Sequence, residues 1–294
     1  NVQNGNIDPA GISATSILNS GSLSLWYGTL RMQFASDADY DQVNVAGVVD
    51  LGYSTLELTV GYTPIIGQQF TLINNDDTDA VVGTFNNQPE GSLIATDNNL
   101  FRISYVGGDG NDVVLTRMAA GFWSGGAGAG NARWRTAANW ADGVVPSPGE
   151  PLYFPSNAAQ LSTINNFPAG TSFNSINILG AGYTLAGNRV TLQAGLIDSG
   201  GDTTVTLPIT LAAPQSIVNT GYSTLTIGAV NQNGYLLTLD AGSGSLIANG
   251  QISGAGGLIT AGYGEVTLTS SNTYTGTTTI NGGTLRIQNA KSLG

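Results

Sequence analysis

Leu268-Thr269-Ser270-Ser271-Asn272-Thr273-Tyr274-Thr275-Gly276-Thr277-Thr278-Thr279-Ile280-Asn281-Gly282-Gly283-Thr284-Leu285 holds two strands and the corner between them. Its threonine-rich run, Thr275 to Ile280, reads as a strand, because β-branched side chains sit well on a pleated surface. Asn281-Gly282-Gly283 follows as a corner, where asparagine and glycine supply the positive φ a sharp bend needs. A second strand then opens at Leu285-Arg286-Ile287, apolar at alternate positions.

The same grammar runs backwards along the chain. Val190-Thr191-Leu192, Val205-Thr206-Leu207, Leu225-Thr226-Ile227, Leu237-Thr238-Leu239 and Val266-Thr267-Leu268 alternate with period two. No window carries a sustained apolar stripe of period 3.6, so helix content is expected to be very low. Gly52-Tyr53-Ser54-Thr55-Leu56 returns as Gly221-Tyr222-Ser223-Thr224-Leu225, with related phrases at Gly182-Tyr183-Thr184-Leu185 and Gly262-Tyr263-Gly264-Glu265-Val266. A supersecondary unit that recurs is the signature of a solenoid, in which each coil buries its apolar face against the next. The reading is therefore all-β, a parallel β-helix (β-solenoid), with a rod-like body. A small β-sandwich stands as the alternative for the N-terminal segment.

Three regions are expected: a β-rich segment over 1–118, a Trp/Gly/Pro-rich junction over 119–160, and solenoid repeats over 161–294. The first holds longer apolar strands such as Gln42 to Val49 and Gln69 to Ile73. The second gathers Phe122, Trp123, Trp134, Trp140, Tyr153 and Phe154 among glycines and prolines.

Composition narrows function. Eight Lys plus Arg against nineteen Asp plus Glu give a net charge of -11, which disfavours nucleic acid and anionic membranes as partners. Cysteine and histidine are both absent. That removes disulfides, thiol chemistry, imidazole metal ligands and any Ser-His-Asp or Cys-His arrangement. No run approaches the apolar length of a membrane helix, so no membrane insertion is expected. A start at Asn1 reads as a processed product or a piece of something longer.

The phrase from Leu268 to Leu285 closely resembles the autotransporter-associated β-strand repeat, within the stretch Gly257 to Gly294. Tyr40-Asp41-Gln42-Val43, Leu72-Ile73-Asn74-Asn75-Asp76 and Tyr105 to Leu115 resemble the segment that follows such repeats in large bacterial surface proteins. Trp134-Arg135-Thr136-Ala137-Ala138-Asn139-Trp140 is similar to a Trp-bearing motif that opens repeat units there. The resemblance implies a right-handed coil, export to an extracellular or bacterial cell-surface location, and adhesive, stalk or matrix roles. The closing segment precedes the opening motif here, which reads as a piece cut from a longer repetitive chain or a unit completed by its neighbours.

Candidate chemistry is sparse. Gly107-Gly108-Asp109-Gly110-Asn111-Asp112-Val113-Val114-Leu115 fits a single nine-residue calcium repeat through Asp109 and Asp112. A calcium ion wants 6–8 oxygens, more than one copy supplies, so a glycine hairpin with Asp112 capping its own turn is the favoured reading and no cofactor the default. Asp37, Asp39 and Asp41 alternate and would share a strand face attractive to a hard cation; Asp76, Asp77 and Asp79 form a second cluster. Trp123, Trp134 and Trp140 could offer a platform for sugar rings, with packing the more ordinary role for tryptophan at a junction. Glu57, Glu90, Glu150 and Glu265 lie in no recognisable catalytic phrase, which argues against a carbohydrate-active enzyme. Gly125 to Gly130 lacks the strand, helix and lysine of a phosphate loop.

The expected function is an extracellular structural protein, either a surface scaffold or a filament subunit. The final stretch Thr284 to Gly294 is plain repeat sequence without a cap, and copies stacking end to end would pair its β-edges. The alternative is an adhesin or glycan-binding module whose partner is an extracellular polysaccharide or a host or neighbour surface.

Overall fold

A computed structural model describes residues 2–3, 5–9, 15–76 and 79–294. The chain divides into two compact units, Asn1–Ala119 and Ala120–Gly294. Both are built of strands. One 3-10 turn, Ala137–Asn139, is the only helical element among the described residues, and no helix there is long and apolar enough to cross a membrane.

The C-terminal unit is a parallel β-solenoid of three sheets with eight, seven and six strands. Ile176, Leu196, Ile217, Leu239, Thr260 and Ile280 pair in one ladder, so successive coils are of nearly equal length. Thr163, Leu185, Val205, Ile227, Ala248 and Leu268 form a second ladder, all of them buried. Alternation produces this: the inward residue of each strand, apolar in most coils, stacks on its counterpart one coil away, while the intervening residues, several of them threonines, face out.

The corners are closed by glycine where coils touch. Gly262 has φ +89°, and a Cβ on it would lie 2.6 Å from the backbone nitrogen of Gly242 below. Buried amides tie coils together as well. Asn272 accepts from the Ile252 backbone N–H at 2.8 Å and donates to the Ser292 carbonyl at 2.6 Å, while Asn219 donates to the carbonyls of Ser223 and Ser245. Such partners are obligatory, since an unpaired buried amide is costly.

Strands Gly121–Phe122 and Leu152–Phe154, within the stretch read as a junction, already pair in the eight-stranded sheet of this solenoid.

The N-terminal unit corrects the sandwich alternative. It contains three parallel coils, represented by the ladders Ile7–Leu30–Leu56 and Leu18–Val43–Ile73, and the steps along these ladders are longer and less even than those of the C-terminal unit. Strand Gln69–Asn75 then pairs antiparallel with Asp112–Met118, which pairs antiparallel with Asn99–Gly107, followed by Leu93–Thr96. The antiparallel strands therefore extend a sheet of the coil instead of packing face to face on it. Phe34, Phe70 and Phe101 fill its centre, with the first two stacked at 4.6 Å.

Candidate functional site

The three tryptophans, read as packing residues with a sugar platform as the alternative, are core residues. Trp123 and Trp134 are fully buried and Trp140 nearly so. Each indole N–H is satisfied inside: Trp123 donates to the Gln160 carbonyl at 2.7 Å, Trp134 to Thr163 Oγ1 at 2.9 Å, and Trp140 to the Trp134 carbonyl at 2.6 Å. Their faces are covered by one another, by Phe154 and by Phe173. Large aromatics with satisfied polar tips thus fill the core at the start of this stack.

The carboxylates are dispersed. Residues Ala35 to Asp39 form a turn, not a strand, so Asp37, Asp39 and Asp41 do not share a face. Asp37 accepts from the Tyr62 hydroxyl, Asp39 from the Thr15 hydroxyl, and buried Asp41 from the backbone N–H groups of Ser16 and Gln33. Asp112 is buried and accepts from the Asn75 N–H at 2.9 Å, a partner outside the turn it was expected to cap. Gly108 sits against that carboxylate with φ +55°, and any side chain there would overlap it. Burial raises the pKa of both Asp41 and Asp112. Asp109 is exposed, as is Asp76. The Asp79 carbonyl receives the side-chain amides of Asn75 and Asn111, and Asp77 lies outside the described residues. Among the described residues no group of three or more His, Cys, Asp or Glu is placed to hold a metal ion.

The glutamates are held by structural partners. Glu57 pairs with Arg31 at 2.7 Å, Glu90 accepts from the Tyr105 N–H, Glu150 from the Ser147 N–H, and Glu265 faces Arg286 at 3.6 Å.

A feature that sequence reasoning did not single out lies on the N-terminal unit. Strand Leu23–Trp26 leads into a corner at Tyr27, and one coil later Val49–Asp50 leads into the equivalent corner at Tyr53. Both tyrosines have φ +53°, the left-handed region that costs a residue with a Cβ about 1–2 kcal/mol. Coil register brings the rings together: they stack at 5.5 Å with an interplanar angle of 10°, and each is 64% exposed. Trp26, 42% exposed, lies 6.3 Å from Tyr53. Its indole donates to Asp50 Oδ2 at 3.1 Å, while Asp50 Oδ1 accepts from the Gly52 N–H at 3.1 Å, so the ring is fixed over the corner.

Beside Tyr53 opens a hollow of about 380 Å³ lined by Gly52, Tyr53, Gly83, Thr84, Phe85, Asn86 and Asn87. Val82 bridges Asp50, and the Asn86 N–H donates to the Ser54 carbonyl, so this wall is the next layer laid on the corner. The clue in the sequence was Tyr27 recurring one coil later as Tyr53, a spacing that acquires meaning only once the coil length of this unit is known.

Comparison with known proteins bears on the C-terminal unit. Residues 258–287 match the family described as the passenger-associated-transport-repeat. That stretch is a repeat of the autotransporter passenger type. The matched stretch runs from strand Leu258–Ala261 to strand Thr284–Ile287, continuous with the stack that precedes it. The adhesin BmaC autotransporter of Brucella suis biovar 1 (strain 1330) is 37% identical over 97 residues, covering 31% of this chain and 3% of that protein. This passenger-type chain is extracellular or cell-surface in location. No solved structure matches it.

Proposed function

We propose that the chain is an adhesin-like surface passenger, a non-enzymatic structural protein whose coils form a rigid scaffold for contact with other surfaces. The observation that carries this reading is that the transport-repeat segment, 258–287, is built into the same in-register ladders as the rest of the C-terminal unit. Parallel coils that share backbone hydrogen bonds with their neighbours are stiff along the stack and present regular rows of outward residues. The adhesin name of the partial relative supports contact as the task. Beads coated with the chain are expected to be retained on cell or matrix surfaces above beads coated with an inert protein. Retention no greater than the inert control across such surfaces would overturn the reading.

Self-assembly is a second reading, favoured by one feature. Strands Thr278–Ile280 and Thr284–Ile287 are paired on one side, and Ile280 and Ile287 are 58% and 47% exposed. A further coil of the same class, from the same polypeptide or another copy, would pair with them. Electron microscopy over a range of concentrations tests it: ordered filaments of this chain support assembly by copies, and monomers throughout contradict it.

A further inference from the structure

We infer that the Trp26, Tyr27 and Tyr53 corner, with the hollow next to it, binds neutral polysaccharide through the faces of its sugar rings. This deepens the adhesin-like reading and rests on it.

Four observations converge. First, the aromatic rings are held in place without being buried: Trp26 by its bond to Asp50, and Tyr27 and Tyr53 by mutual stacking across coils. Exposed flat apolar rings of this kind suit the C–H faces of pyranoses, because each covers area at little cost in side-chain freedom. Second, both tyrosines occupy left-handed backbone, a position that glycine takes without strain and that Gly262 takes in the other unit. Residues kept in an unfavourable conformation at no gain in core packing point to a role outside folding.

Third, the hollow supplies hydrogen-bonding partners of the right kind. Asn86 and Asn87 are exposed amides, each with donors and an acceptor, and Thr84 adds a hydroxyl. A volume of about 380 Å³ falls within the roughly 300–1,000 Å³ range of ligand sites. Fourth, charge selects among glycans. Neither the ring cluster nor the hollow contains a lysine or arginine, Asp50 adjoins both, and the chain carries -11. An acidic polymer would be repelled; a neutral one would not. Tyr222 and Tyr263 on the other unit are 90% and 93% exposed, so they are available as aromatic controls outside this corner.

Affinity electrophoresis of the full chain tests the proposal, with dextran, soluble β-1,3-glucan and galactomannan as neutral probes and polygalacturonate and hyaluronan as acidic ones. The wild-type chain is expected to be retarded by at least one neutral polymer and by neither acidic one. Trp26→Ala and Tyr53→Ala should each weaken that retardation about tenfold, a factor worth about 1.4 kcal/mol, while Tyr222→Ala with Tyr263→Ala leaves it unchanged. Tyr53→Gly, which relaxes the corner, should lose binding with the fold intact by hydrogen exchange. Absence of retardation by every neutral polymer, equal binding by the Trp26 and Tyr53 variants, or binding of acidic polymers alone would overturn the inference. Coated beads separate it from the broader reading: retention on cell surfaces that persists in Trp26→Ala/Tyr53→Ala leaves the adhesin-like role standing and this site refuted.

Discussion

The N-terminal and C-terminal units turn parallel coils with different residues at the bend. In the C-terminal unit Gly262 takes the left-handed position, directly over Gly242, and the ladder Ile176–Leu196–Ile217–Leu239 advances in nearly equal steps without interruption. In the N-terminal unit Tyr27 and Tyr53 take that conformation, the step from Val43 to Ile73 exceeds the step from Leu18 to Val43, and the stack passes into antiparallel strands. Glycine corners let coils close tightly and repeat. Tyrosine corners lower local stability and expose a stacked aromatic surface. One unit is thus optimised as a stack and the other departs from that rule at the place where a ligand surface is proposed.

The widest difference should appear on removing an aromatic from the start of the C-terminal stack. Trp134→Ala deletes a fully buried indole, its bond to Thr163 and its contacts with Trp140, Phe154 and Phe173, at a cost of about 3–5 kcal/mol. Hydrogen exchange should accelerate in strands Leu152–Phe154 and Ser162–Asn165 while Thr55–Val60 of the other unit is unaffected. Equal loss in both units would erase the distinction drawn between them.

A smaller effect, of opposite sign, is expected at Asp198. Its register places it inward, between Ile178 and Asn219 in the buried ladder, and burial raises its pKa to about 6. Because the folded value exceeds that of the unfolded chain, stability is highest below the ordinary carboxylate range and is lost as pH rises through about 6. Asp198→Asn should therefore stabilise the chain at pH 7.5, on the order of 1–3 kcal/mol, and flatten the dependence of its unfolding midpoint between about pH 4 and 6. A variant less stable than wild type under the same conditions would mean that the carboxylate is held by interactions stronger than its burial cost.

The smallest change belongs to Tyr53→Gly. Relief of the left-handed strain should stabilise the N-terminal unit by up to about 1 kcal/mol, offset in part by the lost ring stacking. Slower exchange in Thr29–Phe34 and Thr55–Val60 is the expected result. Clear destabilisation would show that the tyrosine serves packing, and would return this corner to the same rule as the other unit.

How much of this could be read from residues alone follows from the same contrast. Alternation in Val205-Thr206-Leu207 or Leu225-Thr226-Ile227 declares an inward and an outward face, and the repeat phrase near Leu268 declares that the faces stack. Period-two patterns do not say which strand a residue meets, so the three-coil core of the N-terminal unit, with its uneven spacing, leaves a small sandwich open as an alternative. The surroundings of single side chains are hidden for a related reason. Trp123, Trp134 and Trp140 drew attention by their size, yet exposure depends on which face of which coil they occupy, and theirs is the inner one. Asp37, Asp39 and Asp41 alternate in sequence but sit in and beside a turn, where alternation carries no geometric meaning. Tyr27 and Tyr53 become neighbours only through coil register, a non-local property.

In-register parallel stacking of the coils fixes a distance that can be measured. Thr204, Thr226, Ile247, Thr267 and Arg286 form one ladder across four strand spacings. The chain has no cysteine, so Thr204→Cys/Arg286→Cys can be spin-labelled without background. At about 4.8 Å per strand, pulsed electron paramagnetic resonance should give a narrow distribution centred near about 19 Å, broadened by the labels. A broad distribution, or a mean beyond about 30 Å, would contradict the register on which the account stands.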